Sequence, residues 1–274
     1  MTLYRNLGLA IAALGTSLSA MAVPLSNTVV AGAPSQVFLE TVPGVLAPAA
    51  TNPANVAAAL AGNASHAGGN IELGKFGTAP ATTLSGDFGG MGISLSGLTL
   101  TDWTDSGNAL AKQYIDDAYF YMYGMHLNAA DLAAAAAFFV SPFVYNGHEI
   151  WQFVSDPNVS YVNQDGGSIN IGLAGLLDAS DFLGGLSLLT GGGALPANPQ
   201  ASEVVKVMYN GATQYLYGFT ATDSGVALGT TEIFGGNYEV SLAAASVPEP
   251  ATLWLAGLGL AGLAVSRRRK APAA

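Results

Sequence analysis

The run Glu203-Val204-Val205-Lys206-Val207-Met208-Tyr209-Asn210-Gly211-Ala212-Thr213-Gln214-Tyr215-Leu216-Tyr217 decides the fold class. β-Branched and aromatic residues flank Asn210-Gly211, the dipeptide that most readily supplies the two positive φ angles of a type I′ turn. The expectation is a β-hairpin over residues 203–222, and with it an antiparallel sheet. Downstream, residues 238–242 read as a last strand. Upstream, Ile169 and Ile171 alternate with Ser168 and Asn170, so residues 168–173 read as a strand, with an extended piece at 161–163. Ile93, Leu95, Leu98 and Leu100 alternate with Ser94, Ser96, Thr99 and Thr101. Their parity changes at Gly97, which predicts a bulge within one half-buried strand entered from the turn Gly89-Gly90. Shorter strands are expected at 35–41 and 71–76 and a short helix at 54–60. Loops fall at 42–54, 62–70 and 191–200. No internal repeat is visible.

The middle of the chain changes period. Ser106 is a candidate N-cap, and Leu110, Tyr114, Ile115, Ala118 and Met122 recur at helical spacing. Gly124 is placed to close that helix in a left-handed cap. Asn128 opens a second helix, 129–140, with a five-alanine run, and Pro142 ends it. The pair is expected to be antiparallel, with the alanine face close to a sheet. Asp116 and Asp117, adjacent on the first helix, are expected to be solvated. The fold class is therefore α+β: an antiparallel, sandwich-like β-sheet with a two-helix insertion between residues 106 and 140.

Both ends read as targeting segments. Arg5, the apolar run 7–18 and the small-x-small site Ala20-Met21-Ala22 form a secretory signal peptide, residues 1–22, for the Sec export machinery. The body is 23–246. At the far end, Val247, Pro248, Glu249, Pro250 and Ala251 keep the chain extended ahead of an uncharged run. Residues 251–266 form a transmembrane helix about 24 Å long on the α-helical rise. Arg267, Arg268, Arg269 and Lys270 hold its end on the cytoplasmic side.

That three-part tail, residues 247–274, closely resembles the PEP-CTERM sorting signal of Gram-negative bacteria. The resemblance implies an exosortase, a membrane-embedded cysteine transpeptidase, as the partner that recognises and cleaves the tail. It also implies an exported protein of a bacterium that makes extracellular polysaccharide, at home in a biofilm matrix. Residues 155–165 with 169–175 resemble a segment in a subfamily of such proteins without assigned activity, which supplies no catalytic residue.

Charge narrows the function classes. The body keeps only Lys75, Lys112 and Lys206 against seventeen acids, a net charge of −14. Such a surface repels nucleic acid, whose binding needs clustered cations. Charged residues are 9 % of the chain, so the surface must consist largely of neutral polar residues and glycine. There is no cysteine, hence no disulfide framework and no thiolate nucleophile.

Motifs for chemistry are mostly absent. His148-Glu149-Ile150-Trp151-Gln152 begins like the zinc-protease His-Glu-x-x-His, but Gln152 replaces the second ligand. Gly257-Leu-Gly-Leu-Ala-Gly262 satisfies a dinucleotide fingerprint only inside the apolar tail, where small residues serve helix packing. His66, His126 and His148 define no triad by spacing. Asp156, Asn158, Asn163 and Asp165, followed by Gly166-Gly167, are oxygen ligands suited to Ca²⁺, the one cofactor the sequence raises. A turn held by Asx hydrogen bonds uses the same residues as economically. Tyr114, Tyr119, Tyr121, Tyr123, Tyr209, Tyr215 and Tyr217 are suited either to stacking on sugars or to core packing.

The resulting expectation is a non-catalytic surface or extracellular-matrix protein, sorted by an exosortase and associated with extracellular polysaccharide. The precursor is held in the inner membrane with its body in the periplasm. It reaches the cell surface or medium after processing. The alternatives are an envelope-tethered hydrolase acting on glycan or peptide, and a calcium-dependent adhesin.

Overall fold

The computed structural model describes residues 22–77, 79–180, 195, 197–228 and 235–245. The expected signal peptide up to residue 21, the tail 247–274 with its helix, and part of the 191–200 loop lie outside the described residues. Strands in chain order are β1 (Val23–Pro24), β2 (Ser26–Ala31), β3 (Ser35–Val42), β4 (Val45–Ala49), β5 (Gly69–Leu73), β6 (Thr83–Phe88), β7 (Met91–Ser96) and β8 (Val144–Tyr145). There follow β9 (His148–Glu149), β10 (Asn158–Asp165), β11 (Ser168–Gly175), β12 (Val205–Tyr209), β13 (Ala212–Leu216), β14 (Thr222–Asp223), β15 (Ala227–Leu228) and β16 (Gly236–Ala243). Helices are α1 (Pro53–Ala59), α2 (Leu100–Tyr123) and α3 (Ala129–Phe139), with a 3₁₀ turn at Ile150–Val154.

The fold is α+β, with antiparallel sheets and two adjacent helices. A nine-stranded sheet runs β14-β16-β11-β10-β5-β3-β4-β15, with β1 on the side of β10, and a five-stranded sheet runs β13-β12-β7-β6-β2. One sheet is curled into a half-barrel, a feature the sequence reading did not include. Register shifts at Val159/Tyr161 in β10 and Glu40/Val42 in β3 supply local bending of the kind that curls a sheet.

The hairpin forms as its sequence dictates. Asn210 and Gly211 take φ of 49° and 75°, and Val205 to Tyr209 pair with Leu216 to Ala212 without a register shift. Val205, Val207 and Tyr209 enter a core shared by both sheets, with Leu84 of β6, Ile93 and Leu95 of β7, Ile71 and Leu73 of β5, and Ile169, Ile171 and Leu173 of β11. Val204 joins a second cluster with Leu98, Trp103, Leu110, Tyr114, Phe139 and Trp151. The start of the hairpin therefore links the two apolar clusters.

The first helix departs from expectation at its start. The alternation through residue 101 does not continue as a strand: β7 ends at Ser96, and Thr99 caps α2. Asp102 accepts from the Thr99 N–H at 2.9 Å and the Thr99 hydroxyl at 3.0 Å. The spacing Thr99-x-x-Asp102 was thus a helix-start signal hidden by an apolar alternation of the wrong period. Ser106 is not an N-cap. Ser106, Gly107 and Asn108 all lie in the left-handed region and interrupt α2, and Lys112 Nζ donates to the Gly107 carbonyl at 2.8 Å. Gly124 closes α2 at φ 70°, and the Asn128 side chain accepts from Ala130 and Asp131 N–H to open α3, both as expected. The alanine-rich α3 packs chiefly on α2, with Ala136 and Phe139 buried.

Other elements were hidden by composition. β4, in a stretch read as loop, tolerates Pro48 because, among the described residues, β15 pairs with Val45 and Leu46 alone on its outer side. Strands β2 and β6 carry too few strong β-formers to stand out. Gly97 is no bulge. A Cβ there would lie 2.4 Å from the Leu73 carbonyl oxygen and 2.9 Å from that of Ser155, both rigid backbone. Gly97→Ala should therefore cost more than about 2 kcal/mol in denaturant unfolding, whereas Gly90→Ala, open in space but at φ 89°, should cost only about 1 kcal/mol. Equal losses would refute the close approach.

Candidate functional site

An open, shallow groove lies where α2 meets the outgoing end of the hairpin. Asp117, Phe120 and Tyr121 sit at i, i+3 and i+4 on α2, one face of a helix. Tyr217 and Phe219 sit two residues apart beyond β13, one face of extended chain. The five side chains line a cavity of about 480 Å³. Phe120 and Tyr121 are 48 % and 44 % exposed. Tyr121 stacks on Phe219, with ring centres 5.7 Å apart, and Tyr217 meets Phe219 edge-on at 5.6 Å. On the other side Phe120 stacks on His126 at 4.5 Å.

The polar groups at the groove are fixed. The Tyr217 hydroxyl donates to Asp117 Oδ2 at 2.6 Å. Burial, then that bond, drives the Tyr217 hydroxyl far above the usual phenol range, so it is always a donor. Behind the groove, the buried Tyr114 donates to the Ser202 carbonyl at 3.0 Å and packs edge-on against Tyr217. Lys206 Nζ and the Tyr215 hydroxyl both reach Asp102 Oδ1, at 2.6 and 3.0 Å. Burial raises the Asp102 carboxyl, but the Lys206 and Thr99 bonds outweigh it and hold the group below the usual range. Burial and Asp102 together push Tyr215 up to about 12.

The tyrosines anticipated from sequence therefore divide. Tyr121 and Tyr217 line the groove, while Tyr114, Tyr209 and Tyr215 serve packing or anchoring. Tyr119 and Tyr123 contact each other at 4.7 Å. Phe120, Phe219 and Asp117 were missed as a set. Their helical and strand spacings were visible, but the approach of α2 to the hairpin was not. Asp116 and Asp117 are not simply solvated: Asp116 accepts from the Leu127 N–H at 2.9 Å and contacts His126 at 2.9 Å.

The other candidate residues are dispersed. Asp156 and Asn158 are buried, whereas Asp165 is exposed at the far end of β10, roughly 20 Å from Asn158 at the usual strand rise. The chain bends at Ser155 and Asp156 before entering β10. Asp156 Oδ2 accepts from the Phe76 N–H at 2.9 Å, and the Asn158 N–H donates to Glu203 Oε2 at 3.0 Å. Among the described residues, no three His, Cys, Asp or Glu gather to hold a metal ion. His66 contacts Glu40, and His148 stacks on Phe76 at 3.5 Å. The Glu149-to-Gln152 stretch is a helix cap: Gln152 Oε1 accepts from the Glu149 N–H at 2.7 Å.

Glu203, beside Asn158, retains some exposed surface as a residue, yet its carboxyl group is enclosed. Burial, reinforced by Asp156, raises that carboxyl well above its ordinary range against the Asn158 hydrogen bonds. Burial raises Asp156 likewise.

Residues 246–270 match the PEP-CTERM protein-sorting motif. The motif implies an exported chain that an exosortase sorts and processes, with sorting to the membrane or cell surface. No curated protein and no solved structure matches the chain. Among the described residues, no helix is long and apolar enough to cross a membrane.

The buried carboxyls fix a pH dependence. Above about pH 4.3 the unfolded chain has lost the Glu203 proton that the folded chain still holds, so stability falls as pH rises from there through the folded pKa. The melting temperature should be higher at pH 5 than at pH 8, and Glu203→Gln should shrink that difference. An unchanged difference in the variant would contradict the assignment.

Proposed function

We propose that the chain is a surface or matrix protein whose body binds extracellular polysaccharide in the groove lined by Asp117, Phe120, Tyr121, Tyr217 and Phe219, without altering it chemically. In this reading the signal peptide directs export through Sec. The tail helix holds the precursor in the inner membrane by its basic end, and exosortase cleavage at the Pro-Glu-Pro region releases the body to the surface or matrix. The single observation that carries the reading is an open groove with four aromatic side chains and a hydrogen-bonded carboxylate at its side.

Pyranose rings present apolar C–H faces that stack on aromatic rings, and hydroxyls that hydrogen-bond at the edge. Asp117 has one oxygen committed to Tyr217 and offers the carboxylate's remaining acceptor sites to a sugar hydroxyl. The groove contains no cation, and Asp117 adds negative charge to an acidic body. Neutral or amino-bearing sugars therefore fit better than uronate-rich or sulfated chains. Four rings in an open groove suit a chain passing across it more than a small molecule enclosed by it.

Phe120→Ala and Tyr121→Ala remove half-exposed rings that stack only at the surface, on His126 and Phe219. Each should weaken binding to a neutral polysaccharide about five- to tenfold, on a stacking contribution of about 1 kcal/mol per ring. Affinity electrophoresis reads this directly, with Met208→Ala, on an exposed site elsewhere, as the unchanged control. Undiminished binding by the Phe120→Ala, Tyr121→Ala double variant would refute the groove as the binding site.

A further inference from the structure

The two ends of the described chain leave the body at one place. β1 begins beside the β10–β11 turn, with Val23 opposite Gln164 and Pro24 opposite Asn163. β16 finishes there as well: Ala243 lies opposite Ser168, and the Ala244 N–H donates to the Gly167 carbonyl at 2.7 Å. The Ala245 N–H then donates to the Tyr209 hydroxyl at 3.1 Å. Tyr209 is the last residue of β12 before the Asn210-Gly211 turn, and it pairs with Ile93, close to the Gly89-Gly90 turn that opens β7. Three hairpin turns and both chain exits thus share one end.

The groove lies at the other end of the same hairpin. Tyr217 and Phe219 stand five and seven residues beyond Ala212, and the Ser202 N–H to Gly218 carbonyl bond at 2.8 Å continues the pairing past β13. At strand rise that separation is roughly 20 Å. The larger sheet agrees in direction: Tyr238, toward the far end of β16, donates to the Leu176 carbonyl at 2.6 Å, and Gln200 bridges Leu177 to Ala221.

Chain length then limits where the turn end can be. Ala245 to Ala251 is six peptide links, at most about 22 Å fully extended. The three turns and their neighbours carry Asp87 and Asp165 and no lysine or arginine. Anionic lipid therefore does not draw this end flat against it, which leaves the short stem open to a processing enzyme.

We infer that the end bearing the 89–90, 166–167 and 210–211 turns faces the bilayer in the precursor, and that the aromatic groove opens away from it. The groove can then hold glycan while the tail is still inserted, so binding precedes or accompanies sorting. This rests on the membrane insertion of residues 251–266 in the proposed function.

The absence of cysteine makes the test clean. Ala212→Cys at the turn end and Thr220→Cys near the groove, both exposed, each carry one fluorophore on the full chain. The proteins are reconstituted into phosphatidylcholine vesicles containing headgroup spin-labelled lipid. The label at 212 should lose most of its fluorescence and the label at 220 should keep it. Equal quenching, or stronger quenching at 220, in protein that floats with the vesicles overturns the orientation alone. Protein that does not float overturns the insertion and the orientation with it.

Discussion

The carboxylate of Asp102 ties the start of the helical layer to the β-hairpin. It closes the first turn of α2 through Thr99 and binds Lys206 and Tyr215 on the adjacent strands of the hairpin. Pairing a half-buried lysine with a largely buried carboxylate repays its desolvation only when further hydrogen bonds complete the site, and here Thr99 and Tyr215 do so. Fifteen residues farther along α2, Asp117 likewise accepts from a tyrosine hydroxyl, that of Tyr217. The two acids fix where α2 lies on the hairpin, and the aromatic groove is the space left at the end of that contact. Its shape follows from the same interactions that dock the helix.

An exported chain without cysteine must hold its layers together by packing and hydrogen bonds. The segment 152–158 carries much of that burden. The Trp103 indole N–H donates to the Ser155 hydroxyl at 2.8 Å, the Leu98 N–H to the Ser155 carbonyl at 2.8 Å, and the Leu73 N–H to the Pro157 carbonyl at 3.0 Å. Side chains that look like surface-loop residues in sequence are thus interior connectors between the sheets and the helical layer. Their burial explains the raised Asp156 and Glu203 carboxyls without requiring a catalytic task for them.

The parts of the fold legible in the sequence were those set by local rules. Asn210-Gly211 specified its hairpin, Gly89-Gly90 its turn, Gly124 and Asn128 their caps, because backbone φ and short-range hydrogen bonds decide these regardless of context. The start of α2 was lost because Ile93 to Thr101 alternates at period two across a boundary that Thr99 and Asp102 enforce at close range. Ser106 was read as a helix start, yet it and the two residues after it, Gly107 and Asn108, take the left-handed region. The groove was half legible. Tyr121 and Tyr217 stood out as tyrosines, but their meeting depends on a contact between segments about a hundred residues apart, which no local pattern encodes.

The C-terminal sorting motif speaks to destination, and the proposed glycan binding is a separate question put to the body. The last described residue of the body, Ala245, donates its N–H to the Tyr209 hydroxyl. The central claim is that sugar occupies the face formed by α2 and the end of the hairpin. The most direct measurement is an NMR titration of the processed protein, labelled at its aromatic rings, with a neutral oligosaccharide. Shifts concentrated on Phe120, Tyr121, Tyr217 and Phe219 are the predicted result. Shifts confined to rings elsewhere, such as Tyr145 or Phe153, would contradict it.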